Sequence, residues 1–152
     1  MKITGHVGAL LSAKNPALHK IAPDATVFEA IKLMAEKNVG ALLVMAGDEL
    51  VGIMTERDYT RKVALQGRSS KETRVREIIP AKLLTVTPTY SVEDCMRLMT
   101  EHRVRHLPVL EDGKVTGIVS IGDLVNWTIF AQNAALDQME QYITGGYPQP
   151  VE

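Results

Sequence analysis

Cysteine is almost missing from this chain. Cys95 is the one thiol among 152 residues, so no disulfide can close within the chain, as expected in a reducing compartment. Aromatic residues make up only 5%, with a single tryptophan, and the net charge is −1. That balance argues against a basic face that would hold nucleic acid non-specifically. No apolar run approaches the ~20 residues that span a bilayer, and the opening Met1-Lys2-Ile3-Thr4-Gly5-His6 has no apolar secretory core. A cytoplasmic, soluble protein is expected, with no membrane and no nucleic-acid partner.

The usual signatures of catalysis are missing too. Neither G-x-x-x-x-G-K-S/T nor G-x-G-x-x-G occurs, so the standard phosphate loops are absent. His6, His19, His102 and His106 make no H-x-x-x-H or Cys/His zinc pattern. Cys95 stands on the inward stripe of a helical run, where a thiol is small core filler. A catalytic centre needs a nucleophile or metal held beside a base. No such constellation is legible, so the expectation is a protein that is not an enzyme, with no catalytic residue and no metal.

What the chain does contain is a repetition. Gly52-Ile53-Met54-Thr55-Glu56-Arg57-Asp58 recurs as Gly117-Ile118-Val119-Ser120-Ile121-Gly122-Asp123, at an offset of 117 − 52 = 65. The offset holds without a gap through Pro23/Pro88, Val27/Val92, Leu33/Leu98, Met34/Met99, Val39/Val104, Leu42/Leu107 and Val44/Val109. Two copies of one supersecondary unit, each too small for a core of its own, should pack on each other. An apolar content of 45% beside 23% charged residues supplies a globular core.

Taken in order, Val7 to Ser12 reads as a short leading helix or turn, broken at Lys14-Asn15-Pro16. His19 to Ala22 is a short extended piece. Thr26 caps a helix with the apolar stripe Val27, Ala30, Ile31, Met34 and Ala35, ending at Asn38 or Gly40. Ala41 to Met45 is a doubly buried strand, and Gly47-Asp48 turns it back into Leu50 to Met54 as a hairpin. A helix follows at about Asp58 to Leu65. The second copy repeats this order with a strand at Leu84-Thr85-Val86, a cap at Ser91, inward Val92, Cys95, Met96 and Met99, a strand from Leu107 to Leu110 and its return from Val115 to Val119. The units are expected at 8–67 and 76–143, joined by a linker at 68–75, with a tail from 144 to 152.

Each unit therefore reads strand–helix–strand–strand–helix, with a glycine near the end of the third strand and a Gly-hydrophobic-x-Thr/Ser-x-x-Asp ending. This resembles the CBS (cystathionine-β-synthase) domain, and the pair resembles a tandem CBS, or Bateman, module over about residues 8–143. The resemblance implies an α/β (α+β) fold of two tandem β-α-β-β-α repeats with pseudo-twofold symmetry. It also implies two clefts between the repeats for adenosine-containing ligands (AMP, ADP, ATP, S-adenosylmethionine or NAD(H)), and modules that pair into disc-like dimers.

The motif chemistry has two readings. Thr55 with Asp58, and Ser120 with Asp123, fit a capping box in which hydroxyl and acid satisfy each other's backbone N–H groups. The same geometry suits a nucleotide: a carboxylate accepts from vicinal ribose hydroxyls, while a hydroxyl and free helix N–H groups face phosphate. The two roles are compatible. Arg57 lies inside the first motif, Arg61 and Lys62 follow one turn later, and Arg103, Arg105 and His106 cluster before the second copy's strand. By the resemblance, residues entering this strand lie against the base and reach phosphates: here Gly40-Ala41 in one copy, Arg105-His106 and then Pro108 in the other. Lys20-Ile21 and Thr85-Val86 should offer backbone groups to the base. Because these positions differ between copies, the two clefts are expected to differ in ligand or affinity.

The last helix departs from its counterpart. Ile121, Leu124, Val125, Thr128, Ile129, Gln132, Leu136, Met139 and Ile143 follow one face for about six turns, until Gly145-Gly146. An apolar stripe longer than the unit needs points to a homodimer. The sequence thus reads as an adenine-nucleotide sensor acting in trans on a protein effector that it does not identify. The alternative is a structural interaction module whose clefts bind nothing.

Overall fold

The computed structural model describes residues 5–14 and 17–144. The expected breaks at Asn15-Pro16 and Gly145-Gly146, the opening Met1 to Thr4, and the tail beyond 144 lie outside the described residues, as does the side chain of Ile143.

The first repeat forms as its pattern dictates. Helix α1 spans Val7–Lys14, strand β1 Lys20–Ile21 and helix α2 Val27–Lys37. Thr26 starts α2 with a full capping box: its hydroxyl accepts from Glu29 N–H, and the Glu29 carboxylate accepts from Thr26 N–H. The helix ends at Asn38, which takes the left-handed conformation (φ 54°). Val27, Ala30 and Met34 are buried as their spacing predicts, while Ala35 at the rim of the stripe is exposed. Strands β2 (Ala41–Ala46) and β3 (Glu49–Thr55) pair antiparallel, and β1 lies parallel to β2. Ala41 through Val44 are all buried, the signature of a strand covered on both faces.

After β3 the helix begins earlier than expected, at Glu56, because Thr55 is its cap. Helix α3 covers Glu56–Tyr59 and widens into a π turn over Thr60–Ala64. The Thr60 hydroxyl donates to the Glu56 carbonyl (3.0 Å), and such back-bonding from a helical threonine competes with the regular ladder. A single 3₁₀ turn, Val75–Glu77, precedes the second repeat.

The second repeat keeps α4 (Val92–His102), β4 (His106–Glu111), β5 (Lys114–Ser120) and α5 (Ile121–Thr144). Its expected first strand at Leu84-Thr85-Val86 does not form: only Val86 pairs, in one bridge to Val109. The reason is Pro108. In the first repeat the Leu43 N–H donates to the His19 carbonyl (3.0 Å). Pro108 stands at the matching position and has no N–H, so the ladder is left with Val86 N–H on Pro108 O and Leu110 N–H on Val86 O.

The two cores are completed by exchange. One core holds Val27, Ala30, Met34, Leu42, Val44, Met54 and Val63 together with Val75 and Ile78; the other holds Val92, Cys95, Met99, Leu107, Val109, Val119 and Leu124 together with Val7, Leu10 and Leu11. Helix α1, which leads the first repeat, therefore packs in the second, and the turn leading the second repeat packs in the first. Their backbone bonds correspond pair by pair: Val7 N–H to Tyr90 O and Gly8 N–H to Pro88 O, against Val75 N–H to Ala25 O and Arg76 N–H to Pro23 O. These leading segments are copies of one another at an offset of 75 − 7 = 68, not 65. Cys95 is fully buried in the second core, and burial pushes its thiol pKa up to about 11.

Helix α5 is about 36 Å long at 1.5 Å per residue. Leu124 anchors it in the core, whereas Val125, Ile129, Phe130, Leu136 and Met139 are exposed.

Candidate functional site

Both motifs close as reciprocal capping boxes. Asp58 N–H donates to Thr55 Oγ1 (3.2 Å), and Asp58 Oδ2 accepts from Thr55 N–H (3.0 Å) and from the Thr55 hydroxyl (3.1 Å). In the second copy Asp123 N–H donates to Ser120 Oγ (3.1 Å), and Asp123 Oδ2 accepts from Ser120 N–H (2.8 Å). The short side chain of aspartate reaches well enough in both. Each aspartate also lines a cleft, and each carboxylate meets a lysine: Lys62 Nζ is 3.4 Å from Asp58 Oδ1, and Lys14 Nζ is 2.6 Å from Asp123 Oδ2.

Two clefts of similar size lie against these motifs, of about 350 and 360 Å³, within the range of small-molecule sites. Each draws on both repeats. In the first, Thr55, Arg57, Asp58 and Arg61 face Arg103, Arg105 and His106. In the second, Ser120 and Asp123 face Asn38, Gly40 and Ala41, with Lys14 and His19 at the side. The cross-over follows from backbone bonds that tie each motif to the residues entering its partner strand: Glu56 N–H to Gly40 O (3.1 Å) and Ile121 N–H to Arg105 O (2.8 Å).

Gly40 and His106 line both clefts and form the wall between them. A methyl group at Gly40 would stand at ordinary contact distance from His106 Nε2 (3.8 Å) but only 3.1 Å from Glu56 Oε1, so the glycine leaves room there for the Glu56 carboxylate. His106 Nδ1 is buried without a hydrogen-bond partner among the described residues. Burial holds the His106 pKa below the usual histidine value; Asp123 pulls it back, while Lys14, Arg105 and Arg57 add to the depression.

Of the residues singled out on sequence, Thr55, Arg57, Asp58, Gly40, Arg105 and His106 come together in the first cleft, and Ser120, Asp123, Gly40, Ala41 and His106 in the second. Lys20, Ile21, Thr85, Val86 and Pro108 lie outside the lining of both. Ile21 packs on the first core, Val86 is turned into the second, and Pro108 is buried in β4. The chain just before β1, Ala17 and His19, takes the place expected of Lys20-Ile21. The sequence alone names no ligand contact at Lys14, His19, Asn38 or Glu56, and Asn38 reads there only as a helix end. One signal was available for Asn38: it stands 65 positions before Arg103, and both end their helices in the left-handed conformation at φ 54°.

Two repeats that share their cores and build two small-molecule clefts across their junction define a paired ligand-binding module of the regulatory kind. The chain belongs to the CBS domain family, which it matches twice, over residues 11–65 and 75–129. It is similar to a putative signal-transduction protein with CBS domains from Burkholderia ambifaria, at 56% identity and a TM-score of 0.77, covering 80% of this chain and 91% of that one. It is 48% identical over 129 residues to the mitochondrial CBS domain-containing protein CBSX3 of Arabidopsis thaliana, covering 82% of this chain but only 63% of that protein's length. A hexameric CBS-CP12 protein from bloom-forming cyanobacteria has a TM-score of 0.69 at 35% identity, over 76% of this chain and 68% of its own. Among the described residues no helix is long and apolar enough to cross a membrane, and no group of three acidic, histidine or cysteine side chains could hold a metal ion.

Proposed function

We propose that this CBS pair is an adenine-nucleotide sensor that regulates a partner protein in trans, without catalysis of its own. The observation that carries the reading is the first cleft, where the Asp58 carboxylate shares about 350 Å³ with Arg57, Arg61, Arg103 and Arg105. A carboxylate held by a capping box is an acceptor for vicinal ribose hydroxyls, and guanidinium groups are fork-shaped donors to phosphate oxygens. AMP, ADP, ATP and NAD(H) present both chemistries; S-adenosylmethionine presents the ribose without phosphate. A ligand bridging the repeats favours one arrangement of the pair, and by linkage a partner that prefers this arrangement binds more tightly when ligand is present. A cytoplasmic setting belongs to this reading; the mitochondrial name belongs to the plant relative.

The exposed apolar row Val125, Ile129, Leu136 and Met139 on α5 supports the pairing of this chain with a second copy, and a hexameric relative agrees with assembly in general. The same face is what a purely structural interaction module would use.

The test is thermal unfolding with AMP, ADP, ATP, NAD+, NADH and S-adenosylmethionine, for the wild type and for Asp58→Asn. Asparagine keeps an acceptor for the Thr55 N–H, so the cap survives while the charge is lost. A ligand at about 100 times its Kd stabilises by ~2.7 kcal/mol, a shift of several degrees for a domain this size. Stabilisation that weakens in Asp58→Asn bears the reading out. No shift with any ligand, on protein freed of co-purified nucleotide, leaves the interaction module.

A further inference from the structure

The two clefts are alike in size and in their capped aspartate, but not in charge. Arg57, Arg61, Arg103 and Arg105 all face the first. At the 65-residue offset their counterparts are Gly122, Asn126, Asn38 and Gly40, and not one of these carries a charge. Four cationic positions on one side of the pseudo-twofold thus answer to four neutral ones on the other. The second cleft's one lysine or arginine, Lys14, is engaged by Asp123 at 2.6 Å, so that pair neutralises itself.

The arginines of the first cleft are also uncommitted. None of the four has a carboxylate partner among the described residues, whereas Arg68, Arg76 and Arg97 elsewhere on the surface are paired with Glu77, Asp24 and Glu93. Glu56, which lines the same cleft, lies against Gly40, and Asp58 is met by Lys62. Among the described residues the one hydrogen bond these guanidinium groups make is Arg57 Nη1 donating to the Arg103 carbonyl (3.4 Å), which leaves most of their donors unused. Like charges gathered in a concave site repel one another and raise the local potential for an anion. A ligand carrying several negative charges relieves both.

We propose that the clefts take ligands of different charge class: the Asp58 cleft binds a nucleoside polyphosphate, with two or more phosphates, and the Asp123 cleft a nucleoside with one phosphate or none. The inference rests on the nucleotide reading above and assigns its ligands. One chain would then report two quantities at once, such as a polyphosphate against its dephosphorylated product, with His106 and Gly40 as the wall between the two occupants.

The experiment uses the full chain and gives the first cleft two residues of the second. Arg61→Asn with Arg103→Asn replaces two exposed side chains by the asparagines that stand at their counterparts. An asparagine at position 103 suits the left-handed helix end, since Asn38 already occupies the same conformation in the other repeat. Lys14→Gln changes the second cleft instead. Calorimetric titrations use ATP, AMP and adenosine, with inorganic tripolyphosphate as a probe of charge without nucleoside. The expected result is that Arg61→Asn/Arg103→Asn lowers the affinity for ATP and for tripolyphosphate by about ten-fold or more. Adenosine affinity should be unchanged there, and Lys14→Gln should leave ATP affinity unchanged. Equal ATP affinity in the wild type and the double variant overturns the assignment while the nucleotide reading stands. Binding of tripolyphosphate but of no adenine compound leaves the polyanion cleft standing and sinks the nucleoside reading. If neither binds, both fall.

Discussion

Ile79 sits directly over Gly52: a methyl group on that glycine would come within 2.8 Å of Ile79 Cδ1. Leu11 covers Gly117 in the same way, again at 2.8 Å. Glycine is needed at both places for close approach, since each segment arriving from the neighbouring repeat lies on the strand where a side chain would stand.

Gly52→Ala should therefore destabilise the protein by about 1–3 kcal/mol, the usual cost of overpacking. Ile79→Val removes the atom in the way, so the double variant should lose less than the sum of the two single changes. Urea unfolding of the four proteins gives the coupling energy. Strict additivity would mean that the backbone at Gly52, and not the space above it, is what matters.

His106 should make stability depend on pH. Its folded pKa lies below the usual histidine value near ~6.5, so between the two values the unfolded chain binds more protons and stability rises with pH. The contribution is complete above ~6.5 and is lost as pH falls through the folded pKa. The groups acting on the ring are Asp123, Lys14, Arg105 and Arg57, with Glu56 and Gly40 beside it. In thermal unfolding from pH 7.5 to 5, His106→Gln should flatten the acid limb relative to the wild type. Identical limbs would place the imidazole in water.

Pro108→Leu should restore the missing rung of the second sheet. It supplies the N–H that Leu43 uses toward the His19 carbonyl, and the counterpart of His19 at the 65-residue offset is Leu84. Amide hydrogen exchange should find the new N–H at residue 108 protected, with slower exchange in the stretch 84–86. A fast-exchanging amide would show that something besides the proline keeps this segment from pairing.

Much of this was legible in advance. The 65-residue repeat, the Thr26 and Ser91 caps, the hairpins and the capped aspartates follow from local rules that need no tertiary knowledge. Helix α1 did not, because its apolar spacing is the same whichever repeat it covers. The clue was a second register, Val7/Val75, Leu10/Ile78 and Leu11/Ile79, hidden by the three-residue difference between the offsets 65 and 68. The expected Leu84–Val86 strand fails for a related reason: apolar content shows that a strand is wanted, but its hydrogen bonds depend on a proline more than twenty residues away. The cleft walls were half visible. Sequence spacing brings Asp58 near Thr55, but only the crossing of the repeats sets Arg103 opposite Asp58 and Asn38 opposite Asp123.

The exchanged leading segments also set what counts as a part. A chain severed in the loop around Gly67 would yield two pieces, each holding the wedge that the other's core lacks: α1 on the first, the turn at Val75–Glu77 on the second. Neither piece would be a finished object, and mixing them would return each wedge to its slot. The protein is thus built like a clasp, whose two halves have meaning only when closed.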